Sequence, residues 1–265
     1  MNIFLYELNA YRKSTIIWTI ALLALVALFL SMFPSISNDA EEFKKVLEGY
    51  PEGVRKAIGL NIDSFFSLLG FYSYSFLYIT LCGAIQAMNI GVSIVSKEVR
   101  EKTADFLLTK PVTRTTILTS KILAAVASLL ITNIVFNVGS SLIASQVKIE
   151  DFSKNTFLLI SLVLFFIQFI FLALGLVISI LMRKVKSVIT ISLGTVFSFF
   201  IIAMFSSTSG DDYKRYFSPF KYFDTSYIIK HSCYENSFLI TGIVIIIVSI
   251  VTSYFVYIKK DIHSV

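Results

Sequence analysis

The chain has 265 residues, 56% of them hydrophobic and only 15% charged. Its net charge is +6 and its mean hydropathy +0.79. Soluble domains carry about 25% charged and about 45–50% apolar residues, so a water-facing surface could not be built from this composition, and the excess must face lipid. The placement of the positive charge, spread along the chain in short loops, argues against nucleic acid as a target.

A bilayer core about 30 Å thick requires roughly 20 apolar residues per helix. Six stretches meet that requirement: 14–33, 72–95, 117–146, 157–182, 187–207 and 238–258. Lys121, near the start of the third, is the one charged side chain within them. The expected fold is therefore an all-α polytopic membrane protein, a single six-span domain over 1–265.

Ahead of the first span, Phe4, Leu8 and Tyr11 recur at helical spacing, with Glu7, Arg12 and Lys13 assigned to other faces. That pattern predicts a short N-terminal helix lying in the inner interface, the alternative being a frayed start of the first span. The first span is too long for a signal-peptide core, and no small-x-small cleavage site follows Phe33-Pro34, so it is read as retained.

Residues 34–71 form the first outer loop. Phe43, Val46, Leu47 and Tyr50 make one apolar stripe, Asn38 and Glu41 offer a capping signal, and Gly49 ends the run. Pro51-Glu52 starts a second short helix through Ile58, closed by Gly59. The inner segment 96–121 begins as a helix, breaks at Pro111, which lacks an N–H and disfavours helix at Lys110, and restarts at Thr113. The outer segment 208–237 opens with turn formers and continues with aromatics suited to the membrane–water boundary.

Six spans put both termini on one side. The short Arg183-Lys184-Val185-Lys186 connection falls on that side, and short loops follow the positive-inside rule best, so both termini are expected in the cytoplasm.

Little in the spans can do covalent chemistry. The histidines, His231 and His263, lie in a loop and the tail, and there is no HExxH, GxSxG or paired intramembrane Asp. Cys82 and Cys233 make neither a disulfide framework nor a metal pair. A GxxxxGK[ST] phosphate loop is absent. The intramembrane polar groups are amides: Gln86, Asn89, Asn133, Asn137 and Gln168. Asn133 and Asn137 share a face at i, i+4, and Gln86 and Asn89 at i, i+3. Two readings are open for them: the lining of a polar path, or interhelical hydrogen bonds of about 0.6 kcal/mol each. Gly83, Ala87 and Gly91, and again Thr190, Gly194 and Ser198, repeat every four residues as small faces expected to pack within the chain.

The segment from Glu98 to Arg114, followed by Lys121, resembles the signature of permease subunits of type-2 ABC exporters. Those carry an acidic stretch, a Thr-x-(Glu/Asp)-Leu-Leu element and Pro-(Val/Ile)-(Ser/Thr)-Arg in this loop. Thr103, Asp105, Leu107, Leu108, Pro111, Val112, Thr113 and Arg114 match, while Lys102 stands where a Gly often precedes the Thr. Residues 50–59 and 218–224 are weaker echoes of outer-loop segments in the same permeases.

The resemblance implies a half-transporter. Two permease subunits, identical or different, would form the channel, and two separate ABC ATPase subunits carrying ATP and Mg would dock beneath. No cofactor is expected in this chain. The inner loop would be the coupling helix, with Glu98, Arg100, Glu101 and Asp105 pairing with ATPase charges and Phe106, Leu107 and Leu108 as an apolar anchor. Thr103, Pro111 and Arg114 complete the motif. Read on its residues alone, the same loop is equally a solvated juxtamembrane face.

The function expected is the transmembrane subunit of an ATP-driven exporter in a bacterial plasma membrane. Its substrate, of the lipid, hydrophobic-drug or antimicrobial-peptide class, is not readable. The alternative is a membrane-embedded sensor or immunity protein that transports nothing. An ion channel is disfavoured, since charge rings and a Gly-rich filter are lacking.

Overall fold

The computed structural model describes residues 3–100, 112–182, 185–209 and 212–259, and among them every regular element is helical. In chain order these are α1 (Ile3–Asn38), α2 (Ala40–Glu48), α3 (Glu52–Ala57), α4 (Ile62–Phe65), α5 (Leu68–Arg100), α6 (Arg114–Val147), α7 (Lys154–Leu181) and α8 (Val188–Ser209). Two 3-10 turns, Asp212–Phe217 and Pro219–Lys221, lead into α9 (Thr225–His231) and α10 (Asn236–Lys259). Six of these, α1, α5, α6, α7, α8 and α10, are long and apolar enough to cross a membrane. Hydrocarbon offers no partner to a backbone amide, so each crossing closes its own hydrogen bonds as a helix. The chain is a multi-pass membrane protein.

The central pair is α5 and α7. A Cβ on Gly91 would sit 2.5 Å from the Leu172 carbonyl oxygen, and one on Gly175 would sit 3.0 Å from the Met88 oxygen and the Val92 nitrogen. The two backbones therefore touch, as small residues permit. Gly83 serves the same crossing, its missing Cβ leaving room for Leu164 and Gln168, and Ala87 is fully buried between them. The first small-residue stripe thus packs within the chain, as its spacing predicts. The second does not. Thr190, Gly194 and Ser198 are exposed on α8, and nothing lies within 4 Å of a Cβ built on Gly194. Helix α8 meets α5 through another face, where Ser192, Val196 and Ala203 are buried.

Helix α1 runs along α6, and α10 along α7. The N-terminal segment is not a separate interfacial helix. Residues 3–38 form one helix of 36 residues, about 54 Å at 1.5 Å per residue, passing through Pro34. Its buried residues, Glu7, Tyr11, Thr15, Thr19, Leu22, Val26, Leu30, Phe33 and Ile36, make one continuous face. Glu7 lies on the same face as Phe4, Leu8 and Tyr11, because offsets of three and four residues superpose on a helix. The outer loop accordingly begins at Asp39 rather than Pro34.

Beyond α1, α2 presents Phe43 and Val46 outward, as Tyr50 is just after it, while Leu47 packs toward the core. Gly59 closes the connection after α3 with φ +72°, a conformation that favours glycine. The 3-10 turns and α9 pack onto the bundle: Phe220, Tyr222, Phe223 and Ile228 are buried, and Phe223 stacks on Phe166 at 5.1 Å. Arg215 clamps this segment, meeting both Glu235 oxygens at 2.5 and 3.1 Å and lying 4.1 Å over the Phe238 ring.

The α5–α7 crossing generates a test. Gly91→Ala must push a methyl against a backbone oxygen, and we expect a loss of about 1–3 kcal/mol, read as a lower Tm of the detergent-purified protein. Gly194→Ala, in open space at a helical site, should not lower Tm.

Candidate functional site

Two regions of the bundle carry polar side chains that span packing alone does not require. One is a seam inside the helices; the other is a cavity at the end away from the termini.

The seam begins at the end that holds both termini. Lys121 Nζ on α6 lies 3.2 Å from Glu7 Oε1 on α1 and donates to the Ile94 carbonyl on α5 at 2.9 Å. Lys121 is 1% exposed and Glu7 5%. A buried ion pair is retained only when both charges are matched, because removing one leaves the other uncompensated in a medium of low dielectric. Along the same α1–α6 contact the Thr15 and Ser128 hydroxyls meet at 2.5 Å, and the Thr19 hydroxyl donates to Thr132 at 3.1 Å.

The seam then turns into the middle of the bundle. Gln86 Nε2 on α5 donates to Thr132 at 3.1 Å. Gln168 on α7 donates to Gln86 Oε1 at 3.0 Å and accepts from Asn133 Nδ2 at 2.6 Å. Three of the five intramembrane amides, Gln86, Asn133 and Gln168, therefore form one buried cluster joining α5, α6 and α7. Asn137 attaches through its Nδ2 to the Asn133 carbonyl at 2.8 Å. Asn89 stays outside the cluster, its Oδ1 buried without a partner.

The sequence motif of the inner loop falls largely beyond what the structure describes. Glu101, Thr103, Asp105, Phe106, Leu107, Leu108 and Pro111 lie outside the described residues, and the side chains of Glu98 and Arg100, at the end of α5, do too. Arg114 opens α6, whose N-cap Thr113 accepts from the Thr116 amide at 3.2 Å, the restart expected there. Its guanidinium donates to the Ile258 carbonyl near the end of α10 at 3.3 Å. One turn on, the Thr119 and Tyr254 hydroxyls meet at 2.7 Å. The start of α6 is thus tied to α10, α1 and α5 at once.

At the opposite end a cavity of about 710 Å³ opens between α2–α4, α5, α7 and the segment around the 3-10 turns. Its apolar lining includes Phe76, Leu77, Val163 and Ile167 on the two central helices. Its cations are Lys44, Arg55, Arg215 and Lys221, and its carboxylates Glu48, Glu52 and Asp224. Burial pulls the Lys221 ammonium below the usual lysine range, against the opposing pull of Asp224.

Sequence reasoning missed Glu7 as a buried partner and the cavity altogether. The signal for Glu7 was its register with Phe4, Leu8 and Tyr11. No short-range signal marks the cavity, whose lining comes from segments up to 182 residues apart between Lys44 and Ser226.

A family model described as ABC-2 family transporter protein matches residues 1–262. No curated protein and no solved structure matches the chain.

The ion pair is testable through stability. Lys121→Met leaves Glu7 buried and unmatched, and should cost about 3–5 kcal/mol of stability against thermal unfolding. Adding Glu7→Leu removes the stranded charge and should recover most of that loss.

Proposed function

Because the chain belongs to the ABC-2 family of transporter proteins, membrane transport components that work with ABC ATPases, we propose that it is the transmembrane permease subunit of an ATP-driven exporter. In this reading two such subunits pair across the membrane. Two ATPase subunits carry the ATP and Mg, and this chain supplies no nucleotide site. The termini lie in the cytoplasm of a bacterial cell. The substrate class is that of an amphipathic or apolar molecule: a lipid, a hydrophobic drug or an antimicrobial peptide.

One observation carries the proposal. Helices α5 and α6 have 33 and 34 residues, about 50 Å each, against a hydrocarbon core of about 30 Å. They are joined by the segment bearing the Thr103-to-Arg114 motif, at the end of the bundle where Lys121 meets Glu7 and Arg114 meets the Ile258 carbonyl. A connection held on two over-long, cross-braced helices is a natural handle for a partner outside the bilayer. Glu98, Arg100, Glu101 and Asp105 offer that partner charge, and Phe106, Leu107 and Leu108 an apolar anchor. The sensor reading would leave the handle without a user.

Leu107→Asp tests the handle. An unpaired charge in an apolar contact costs several kcal/mol, about tenfold in affinity per 1.4 kcal/mol. We expect a normally inserted protein that no longer retains its ATPase on affinity purification and no longer transports. Lys148→Ala, in an exposed pair with Asp151 at the other end, should leave both intact. Wild-type ATPase retention and transport by Leu107→Asp would reduce the loop to a solvated connector.

Orientation has its own readout. Single cysteines near Glu41 or Asp211 should react with an impermeant maleimide on intact cells, and cysteines near Lys102 or Lys184 should not. Labelling at Lys184 from outside would invert the topology.

A further inference from the structure

The cavity at the end opposite the termini contains cations in an arrangement that packing does not account for. Arg215 is spoken for by Glu235 and by the Lys221 carbonyl. Arg55 and Lys221 are different. Both are half-buried, and neither makes a hydrogen bond or ion pair through its side chain among the described residues. Arg55 Nε is fully shielded from solvent without an acceptor, and among the described residues it is the one buried side-chain nitrogen left so; the others are oxygens. Leaving such a donor unmet is costly, more so when it is charged.

Three carboxylates share the cavity, and Asp224 pulls on Lys221 from its rim against the effect of burial. Glu48, Glu52 and Asp224 are all exposed, and Asp224 accepts from the Ser226 amide at 2.8 Å as the cap of α9. Charges at the wet rim are screened by water, whereas those inside the walls are not. The inner lining is therefore cationic at the level of α3 and the 3-10 turns, and apolar below, where Phe76, Leu77, Val163 and Ile167 form the wall. A cavity of about 710 Å³ with an apolar wall and a few convergent polar groups is of the size that holds a small ligand.

We propose that this cavity binds an amphipathic molecule with an anionic head, a phosphate or carboxylate, seated on Arg55 and Lys221 with its apolar part against Phe76, Leu77 and Ile167. The desolvated state of Lys221 fits this, since an anion beside it would restore the charge that burial disfavours. The site would belong to this chain alone and would stand whether or not an ATPase docks at the other end.

The probe is dodecyl phosphate, applied below its micelle-forming concentration to the full-length protein in phosphatidylcholine nanodiscs, with binding measured by equilibrium dialysis. We expect saturable binding that falls about tenfold or more in the Arg55→Gln/Lys221→Gln double variant. The charge-conserving Arg55→Lys/Lys221→Arg variant should bind within a few-fold of wild type, which separates loss of charge from loss of fold. Lys230→Gln, exposed on α9 outside the cavity, should change nothing. Inorganic phosphate and dodecanol, each carrying half of the ligand, should bind far more weakly. Binding that is indifferent to the double substitution would overturn the proposal. So would binding of inorganic phosphate as tight as that of dodecyl phosphate, which would mean a bare anion site.

Discussion

Hydrocarbon supplies no hydrogen-bond partner, and the interior of this bundle is organised by that fact. A polar side chain carried into a span must be met by another side chain or a backbone carbonyl of the same chain, or it remains a cost of several kcal/mol. The seam from Glu7 and Lys121 through Thr15, Ser128, Thr19 and Thr132 to Gln86, Gln168 and Asn133 is one solution to this constraint. It joins four helices and fixes their relative rotation, since each polar group has partners in only one register. Greasy packing alone would tolerate many rotations of one apolar cylinder against another. The amides and hydroxyls select among them.

The glycine crossing adds distance to rotation. Where Gly91 and Gly175 bring α5 and α7 into backbone contact, Gln86 and Gln168 come close enough to bond directly, with Gly83 vacating the space that the Gln168 side chain needs. Small residues and amides therefore act together. The first allow the approach, and the second make it specific.

The six spans were legible in the sequence because apolar length is a local property, summed over about 20 neighbours. The same is true of Gly49, Gly59 and Thr113, whose roles at element ends depend on a few adjacent residues. Glu7 escapes a local reading because its apolar neighbours equally suit a helix lying in the interface, whereas in the folded chain they and Glu7 share one inward face. The amides were legible as polar groups in the wrong solvent. Which three would join depended on the crossing of α5 and α7, a long-range matter that no window of sequence contains. Thr190, Gly194 and Ser198 show the converse: the same spacing that packs α5 against α7 lies outward on α8, so spacing marks a face capable of close approach without saying what approaches it. The cavity, assembled from α2–α5, α7 and the segment before α10, was out of reach for the same reason.

The position of the α5–α7 contact along α5 has a mechanical consequence. Gly91 lies about 14 Å from the Arg100 end of the helix and about 35 Å from the Leu68 end, at 1.5 Å per residue. Treated as a rigid rod turning on that contact, α5 is a lever with arms in a ratio of roughly 1 to 2.5. A displacement applied at the short arm, beside the loop, is enlarged at the long one, where Ser73, Phe76, Leu77 and Thr80 wall the cavity. These residues lie about 17 to 27 Å from Gly91, so an ångström of movement at one end of the bundle becomes about one to two ångströms at the cavity wall.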